Sequence, residues 1–222
     1  MIKTFEQSDA HIWTAAELAQ RFGAIPLNRV LTTPPPGLAT EADVIALEES
    51  ENRLCELIDG VLLEKVMGYY ESFLAVSLVR MIAAFVEAHQ LGVVAGEGGM
   101  LRFKLGLIYI PDISFISWDR LGTRDLRAEA VLPVVPDLAV EVISRGNSAD
   151  EMDDKLDGYF DKGVRLVWYV YPAKQEVHVF KSRHGDAIVL GTGDELDGSD
   201  VLPGFRVSLA RLFDVPRNPK ES

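Results

Sequence analysis

The sequence predicts a protein of the α/β (α+β) class, with helices packed on a mixed β-sheet. From residue 70 onward, the predicted order is helix, three strands, helix and strand. The last of these strands, residues 164–171, is almost wholly apolar, which is typical of a strand buried on both faces. Helices interspersed with such strands favour a layered arrangement of sheet and helices.

The N-terminal residues 1–39 are predicted to form a helical appendage with a proline-rich linker, and residues 40–222 the main domain. In the appendage, Thr14 and Glu17 have the spacing of a capping box, and Gly23 marks the end of the helix. The linker contains consecutive prolines, which break regular structure.

A β-hairpin is predicted after a second short helix that begins at Thr40. Two apolar-rich runs, 53–58 and 61–66, flank the pair Asp59-Gly60. An Asp-Gly pair in that position favours a type I′ turn, because both central residues of the turn need positive φ.

The next predicted elements are a long helix and three strands. Residues 71–90 form the helix, since apolar side chains recur at steps of three and four residues. The strands are predicted over 93–105, 107–117 and 137–144.

A second main-domain helix is predicted over 148–162. Ser148 and Glu151 form another capping box at its start, and Gly163 closes it. The apolar strand 164–171 follows. The remaining predicted elements are a hairpin, 176–180 and 187–190, and a short helix, 208–213.

The composition is that of an ordinary globular protein, with 48% hydrophobic and 25% charged residues, which excludes disordered and collagen-like proteins. The net charge of −12 disfavours nonspecific coating of nucleic acid, which depends on Lys and Arg. The available basic residues include Arg102 and Lys104, and a local basic rim is expected from four arginines that flank the loops between the candidate site strands: Arg120, Arg124, Arg127 and Arg145. The single cysteine, Cys55, excludes an intramolecular disulfide, and the four scattered histidines argue against a histidine metal site.

No targeting or membrane segment is predicted. The first 30 residues lack a basic segment followed by an apolar core. The longest apolar stretches, 73–86 and 164–171, are short or interrupted by Arg80. A soluble cytoplasmic protein is therefore expected.

Two carboxylates lie within apolar strand sequences. Asp112 lies in the run 110–115, and Glu141 lies between two valines in the run 136–143. A buried carboxylate is costly unless it is paired, hydrogen-bonded or bound to a metal, and hard divalent cations prefer oxygen ligands. The alternatives are that Asp112 caps a strand end beside Pro111 and that Glu141 is solvated at a sheet edge.

Four further charged residues are weaker candidates. Lys155 lies on the apolar face of its helix, where its stem can cover the core or its ammonium can reach a carboxylate. Glu71 lies in the first turn of the predicted long helix, where an acidic side chain can simply stabilise the helix dipole. An outward strand position accounts equally well for Glu56. Asp137 shares a strand face with Glu141 but can simply start its strand.

The motifs form a recognisable set: Cys55–Val61, Ile110–Phe115, Pro136–Ser144, Asp154–Tyr159 and Gly163–Trp168. In joint order and spacing they resemble the Uma-two-type family of restriction endonucleases, in the PD-(D/E)xK nuclease superfamily. The resemblance covers residues 40–213. It implies a restriction-endonuclease-like core of helix, three strands, helix and strand, which is the order predicted above.

The resemblance also implies roles for residues. Asp112 and Glu141 would bind Mg²⁺, with Mn²⁺ as a substitute metal. The usual lysine position, two residues after the glutamate, is Ile143, so Lys155 on the following helix takes the role. Glu71 stands where family members often carry a histidine, and either Glu71 or Glu56 would complete the site.

The expected function is a Mg²⁺-dependent endonuclease that hydrolyses phosphodiester bonds in DNA. A homodimer is also expected, since most soluble oligomers are symmetric and paired subunits can cut both strands. The alternative is a catalytically weak or inactive binding module, since fold alone does not establish activity. A third interpretation is a metal-dependent enzyme acting on another phosphorylated substrate.

Overall fold

The computed structural model describes residues 11–216 and is a mixed fold of helices and sheets, as predicted. Within that range, the helices are α1 (Ala15–Phe22), α2 (Glu41–Glu51), α3 (Tyr69–His89), α4 (Trp118–Leu121), α5 (Ala149–Asp161) and α6 (Leu209–Phe213). The strands are β1 (Cys55–Ile58), β2 (Val61–Glu64), β3 (Gly92–Ala95), β4 (Leu101–Lys104), β5 (Leu107–Tyr109), β6 (Ile113–Ser117), β7 (Leu138–Val142), β8 (Leu166–Tyr171), β9 (Glu176–Phe180), β10 (Ile188–Leu190), β11 (Glu195–Gly198) and β12 (Leu202–Ser208). Residues 1–10 of the predicted appendage and residues 217–222 of the predicted main domain lie outside the described residues.

The main sheet has six strands in the order β10-β9-β8-β7-β6-β3. Strands β7 and β8 run parallel and α5 connects them, whereas the other neighbours in this sheet are antiparallel. The apolar strand β8 is buried over Leu166–Val170, as its sequence predicts. The predicted mixed sheet flanked by helices is therefore confirmed.

A smaller sheet has the strand order β2-β1-β5-β4. Its first two strands are the predicted hairpin, with Leu57 opposite Leu62. Asp59 and Gly60 have φ values of 50° and 76°, so both residues meet the requirement of the predicted turn. The hairpin places Glu56 in a strand that also pairs with β5.

The predicted strands 93–105 and 107–117 are wrong in extent, because each divides between the two sheets. Strands β3 and β6 join the main sheet, whereas β4 and β5 pair in the smaller one. The glycine-rich turn 96–99 separates β3 from β4, and Pro111, which has no N–H to donate, lies between β5 and β6. Asp112 consequently lies where the chain passes from one sheet to the other.

The main sheet buries a different core on each face. On one face, β7 packs with α3 through Leu138, Val140 and Val142. On the other face, Ala139 packs in a core that includes Leu156 and Tyr159 of α5. Because side chains alternate along a strand, Glu141 points to the α5 face, as the predicted periodicity requires.

Helix α3 tests the expectation that no segment could span a membrane. It has 21 residues, and its apolar window has a mean hydropathy of 1.5, so its length and composition are sufficient for a span, contrary to that expectation. Its inner face packs in the α3-side core through Leu74, Leu78 and Ile82. Core helices of soluble proteins have the same properties, so one such helix is weak support for a membrane span.

Helix α1 packs against α5. Its Leu18 and Phe22 are buried in the α5-side core, and the predicted capping box of Thr14 and Glu17 is present. The capping box predicted for α5 is also formed. The predicted boundary at residue 39 stays a prediction.

Candidate active site

The fold brings together four of the five residues to which the resemblance assigns a role at the site. Glu56 lies on β1, Asp112 immediately before β6, Glu141 on β7 and Lys155 on α5. All four are between 2% and 6% exposed. The Lys155 Nζ lies 2.8 Å from Glu56 Oε1 and 2.9 Å from Glu141 Oε1, so this lysine joins both sheets to the helix.

Asp112 is held at the junction of the two sheets. Its Oδ2 accepts a hydrogen bond of 2.6 Å from the backbone N–H of Val142, at the end of β7. Its Oδ1 lies 2.5 Å from Lys65 Nζ, without the alignment of a hydrogen bond, and no hydrogen-bond partner for it occurs among residues 11–216. One oxygen of Asp112 is therefore fixed by backbone, and the other depends on a single side-chain cation.

Lys65 is a member of the cluster that sequence reasoning missed. Its side chain is 10% exposed, and its ammonium contacts Asp112, donates to the Ile110 carbonyl and lies 3.9 Å from Glu141 Oε2. A lysine just after a strand, followed by an exposed valine, is typical of a solvated position. Only the pairing of the hairpin with β5 brings this lysine beside Asp112.

Two neutral groups fix the carboxylates further. The Tyr159 hydroxyl donates to Glu141 Oε1, and burial followed by the Glu141 charge raises the pKa of that hydroxyl well above its ordinary value. The backbone N–H of Ile110 donates to Glu56 Oε1 at 2.8 Å. Glu56 is thus committed to the backbone and to Lys155.

The charges in the cluster are set by burial and by each other. Burial is the largest influence on the pKa of Glu141 and raises it, while Lys155 and Lys65 oppose that rise. Burial lowers the pKa of both lysines, but the neighbouring carboxylates outweigh it and raise both above the ordinary value. Both lysines are therefore cationic at neutral pH.

Glu71, the fifth nominated residue, lies apart from this cluster. It is half-buried in the first turn of α3 and lines an open groove of about 350 Å³ with Arg145, Tyr171 and Lys174. Within residues 11–216, no hydrogen bond or ion pair joins it to Asp112 or Glu141. Of the two glutamates that the sequence left open, the fold brings only Glu56 to the cluster.

The N-terminal segment lies over the Lys155 side of the cluster. Phe22 borders a cavity of only about 10 Å³ together with Glu56 and Lys155. Nearby, the Arg29 guanidinium forms a buried bidentate salt bridge with the Glu151 carboxylate, with N–O distances of 2.7 and 2.9 Å. This pair fixes the segment that follows α1 to the start of α5.

The donor set suits a hard divalent cation, although no group of three or more metal-binding side chains occurs within the described residues. Asp112 Oδ1 has no hydrogen bond from the described part of the chain, and Glu141 Oε2 lies on the same side of the cluster, near the Lys65 ammonium. Carboxylate and carbonyl oxygens are the ligands such cations prefer. Asp112 and Glu141 are thus the residues that would hold one.

A family model described as "Uma2: Putative restriction endonuclease" matches residues 42–210. The chain belongs to the Uma2 family. The predicted resemblance is therefore confirmed, and family membership supports a nuclease function.

A solved structure supports the fold of this Uma2 chain. It is a "putative nuclease belonging to DUF820" from Anabaena variabilis, 21% identical, with a TM-score of 0.67. The match covers 78% of this chain and 97% of the other. At this identity the likeness shows the fold alone, and no curated protein matches the chain.

The predicted basic rim is only partly available in this Uma2 chain. Arg102 pairs with Glu41, and Arg120 pairs with Asp137, so both arginines are committed to internal partners. Arg145 is exposed at the groove near Glu71. The basic surface near the cluster is consequently narrower than the sequence suggested.

Proposed function

We propose that this Uma2 protein is a divalent-metal-dependent endonuclease that hydrolyses phosphodiester bonds in DNA. The observation that carries the proposal is the meeting of Asp112, Glu141 and Lys155, which come from three separate elements, in one buried cluster. Burying three carboxyl groups and two lysines costs free energy of folding. Such clusters occur at functional sites, so this one is a candidate for catalysis.

Asp112 and Glu141 would hold Mg²⁺ or Mn²⁺, which would polarise the scissile phosphate and lower the pKa of a bound water. Lys155 keeps its proton at neutral pH because two carboxylates face it. Its ammonium can orient the attacking water and stabilise negative charge that develops on the phosphate.

Two residues act through others. Glu56 positions Lys155 and is itself held by the backbone of Ile110. Tyr159 positions Glu141 by donating to Oε1, which leaves Oε2 on the side of Asp112. Both are positioning residues, so their loss should reduce activity less than loss of Asp112.

The charge pattern supports a second candidate, a nucleic-acid or protein binding module without catalysis. All three carboxyl groups already have a lysine nearby, the cluster is almost inaccessible, and the net charge is −12. An acidic surface slows the approach of phosphate. The assay of metal-dependent cleavage separates this candidate from the first.

The test is nicking of supercoiled plasmid, with Mg²⁺, with Mn²⁺ and with chelator, by wild type, Asp112→Asn and Asp137→Asn. We expect metal-dependent nicking by wild type and a loss of at least about 100-fold in Asp112→Asn, because metal ligation contributes several kcal/mol to the transition state. Asp137→Asn is the matched control, since Asp137 is as buried as Asp112 but lies at the opposite end of β7, outside the cluster.

Equal activity of wild type and Asp112→Asn would contradict the proposal. No nicking by wild type under any metal would favour the binding module. Circular dichroism on each sample checks that the variants are folded. The predicted homodimer is tested on the same samples by light scattering.

A further inference from the structure

The ammonium of Lys65 lies in a pocket of oxygen atoms. Asp112 Oδ1 is 2.5 Å away, Glu141 Oε2 is 3.9 Å away, and the Ile110 carbonyl accepts its hydrogen bond. These are two carboxylate oxygens and one backbone carbonyl, the ligand types that hard divalent cations take. The lysine therefore lies among the same oxygens that a metal would use.

The second lysine of the cluster does not compete for those atoms. Lys155 contacts Glu56 Oε1 and Glu141 Oε1, and Tyr159 donates to the same Glu141 oxygen. Glu141 thus presents Oε1 to α5 and Oε2 to Lys65 and Asp112. The two lysines have different neighbours and, we infer, different roles.

Lys65 is also placed so that its side chain can leave. Its backbone N–H donates to the Leu54 carbonyl at 2.8 Å, which anchors the main chain at the base of the hairpin. The next residue, Val66, is 60% exposed, and residues 65–68 belong to neither β2 nor α3. A long unbranched stem beside this open segment can swing to solvent without unfolding the hairpin.

We propose that Lys65 is a built-in cation that competes with the divalent metal for the oxygens of Asp112 and Glu141. This inference rests on the proposed function, because it presumes that these carboxylates bind metal. The ammonium neutralises the carboxylates while metal is absent. Metal binding then requires the ammonium to move away, because two cations cannot share the same oxygens and repel each other at this distance.

The experiment is calorimetric titration of Mn²⁺ into the full chain, as wild type, Lys65→Gln and Lys65→Met. Lys104→Gln is the matched control, because Lys104 is an exposed lysine without an ion pair in the described part of the chain. We expect a dissociation constant at least about tenfold lower in both Lys65 variants and unchanged in Lys104→Gln. Lys65→Gln keeps a donor for the Ile110 carbonyl, so it serves if Lys65→Met fails to fold.

A thermal readout on the same samples is independent of the heat of binding. Added Mn²⁺ should raise the melting temperature more in Lys65→Gln than in wild type, because tighter binding to the folded state gives a larger shift. The double variant Lys65→Gln with Asp112→Asn should lose both the tighter binding and the larger thermal shift. That loss would locate the metal at the carboxylates that Lys65 contacts.

The outcomes separate the two proposals. Equal or weaker Mn²⁺ binding in the Lys65 variants, with binding lost in Asp112→Asn, would overturn the competition and leave the metal site standing. No Mn²⁺ binding in wild type or in any Lys65 variant would overturn both. Tighter binding that persists in the double variant would place the metal elsewhere and would also overturn the competition.

Discussion

The two ends of β7 both bury carboxylates, but they satisfy them in different ways. Before the strand begins, Asp137 Oδ2 accepts a hydrogen bond of 2.8 Å from the Ser117 N–H. The other oxygen, Oδ1, lies 3.0 Å from the Arg120 guanidinium and 3.3 Å from that of Arg165. Near the other end, the carboxylates of Glu56, Asp112 and Glu141 face lysines. Within the residues that the structure describes, one oxygen of Asp112 has no aligned donor. Asp137 is as buried as Asp112, so burial does not distinguish the two ends.

The difference lies in how replaceable the partners are. Planar guanidinium groups and backbone amides form a fixed set of donors, and such a set suits a structural role. Ammonium groups on flexible stems neutralise charge without fixing every oxygen, so another cation can replace them. A buried carboxylate is thus a candidate for catalysis when its counter-ions are exchangeable.

The largest effect on stability is expected from removing the lysine that joins the cluster. Lys155→Met leaves Glu56 and Glu141 buried without their shared cation and should lower the free energy of unfolding by about 3–5 kcal/mol. Urea unfolding measures this loss. A further Glu56→Gln change should recover part of it, because it removes one of the two carboxylate charges that Lys155 neutralises.

That double-variant cycle has a clear contrary result. If Lys155→Met and Glu56→Gln were simply additive, the two residues would be independent, and the assignment of Glu56 as the positioning partner of Lys155 would be wrong. A double-mutant cycle on Arg29 and Glu151 is the control for a buried ion pair outside the carboxylate cluster. Both residues are buried, and they contact each other at 2.7 Å.

A smaller effect contrasts the two aspartates directly. Asp137→Asn should cost about 2 kcal/mol, because it removes the negative charge between two arginines and leaves an amide facing other donors. Asp112→Asn should cost about 1 kcal/mol or less, because the Lys65 ammonium keeps Glu141 nearby and can turn toward solvent, while an amide oxygen can still accept from Val142. Urea unfolding of both variants without metal provides the comparison, and the reverse order would contradict it.

Local rules were sufficient to predict much of the fold. The positive φ values at Asp59 and Gly60, the capped start of α5 and the apolar strand β8 each follow from short-range sequence patterns. The division of 93–105 and 107–117 between two sheets was missed, although the glycine-rich run 96–99 and Pro111 mark the two breaks in the sequence. Which sheet each half joins depends on pairing between distant strands.

The same limit applies to the cluster. Asp112 and Glu141 stood out because a carboxylate in an apolar strand is locally unusual. Lys65 is locally ordinary, and only its position relative to Asp112, 47 residues later in the sequence, makes it distinctive. Glu71 was a weaker candidate, supported by the resemblance rather than by its local pattern, and the fold places it in a different groove.

The smallest expected effect uses the chain's single cysteine to report on the strand that carries Glu56. Cys55 is fully buried on β1, and burial, followed by the nearby Glu64 charge, raises the pKa of its thiol to about 11. The thiolate should therefore be scarce at pH 8 and form only as the pH approaches 11, and labelling by a thiol reagent should require opening of the hairpin. If β1 opens only by global unfolding, the labelling rate should follow the loss of stability. Labelling should then be faster in Asp137→Asn than in Asp112→Asn. A faster rate in Asp112→Asn, with stability unchanged, would instead show that the carboxylate cluster itself holds β1 closed.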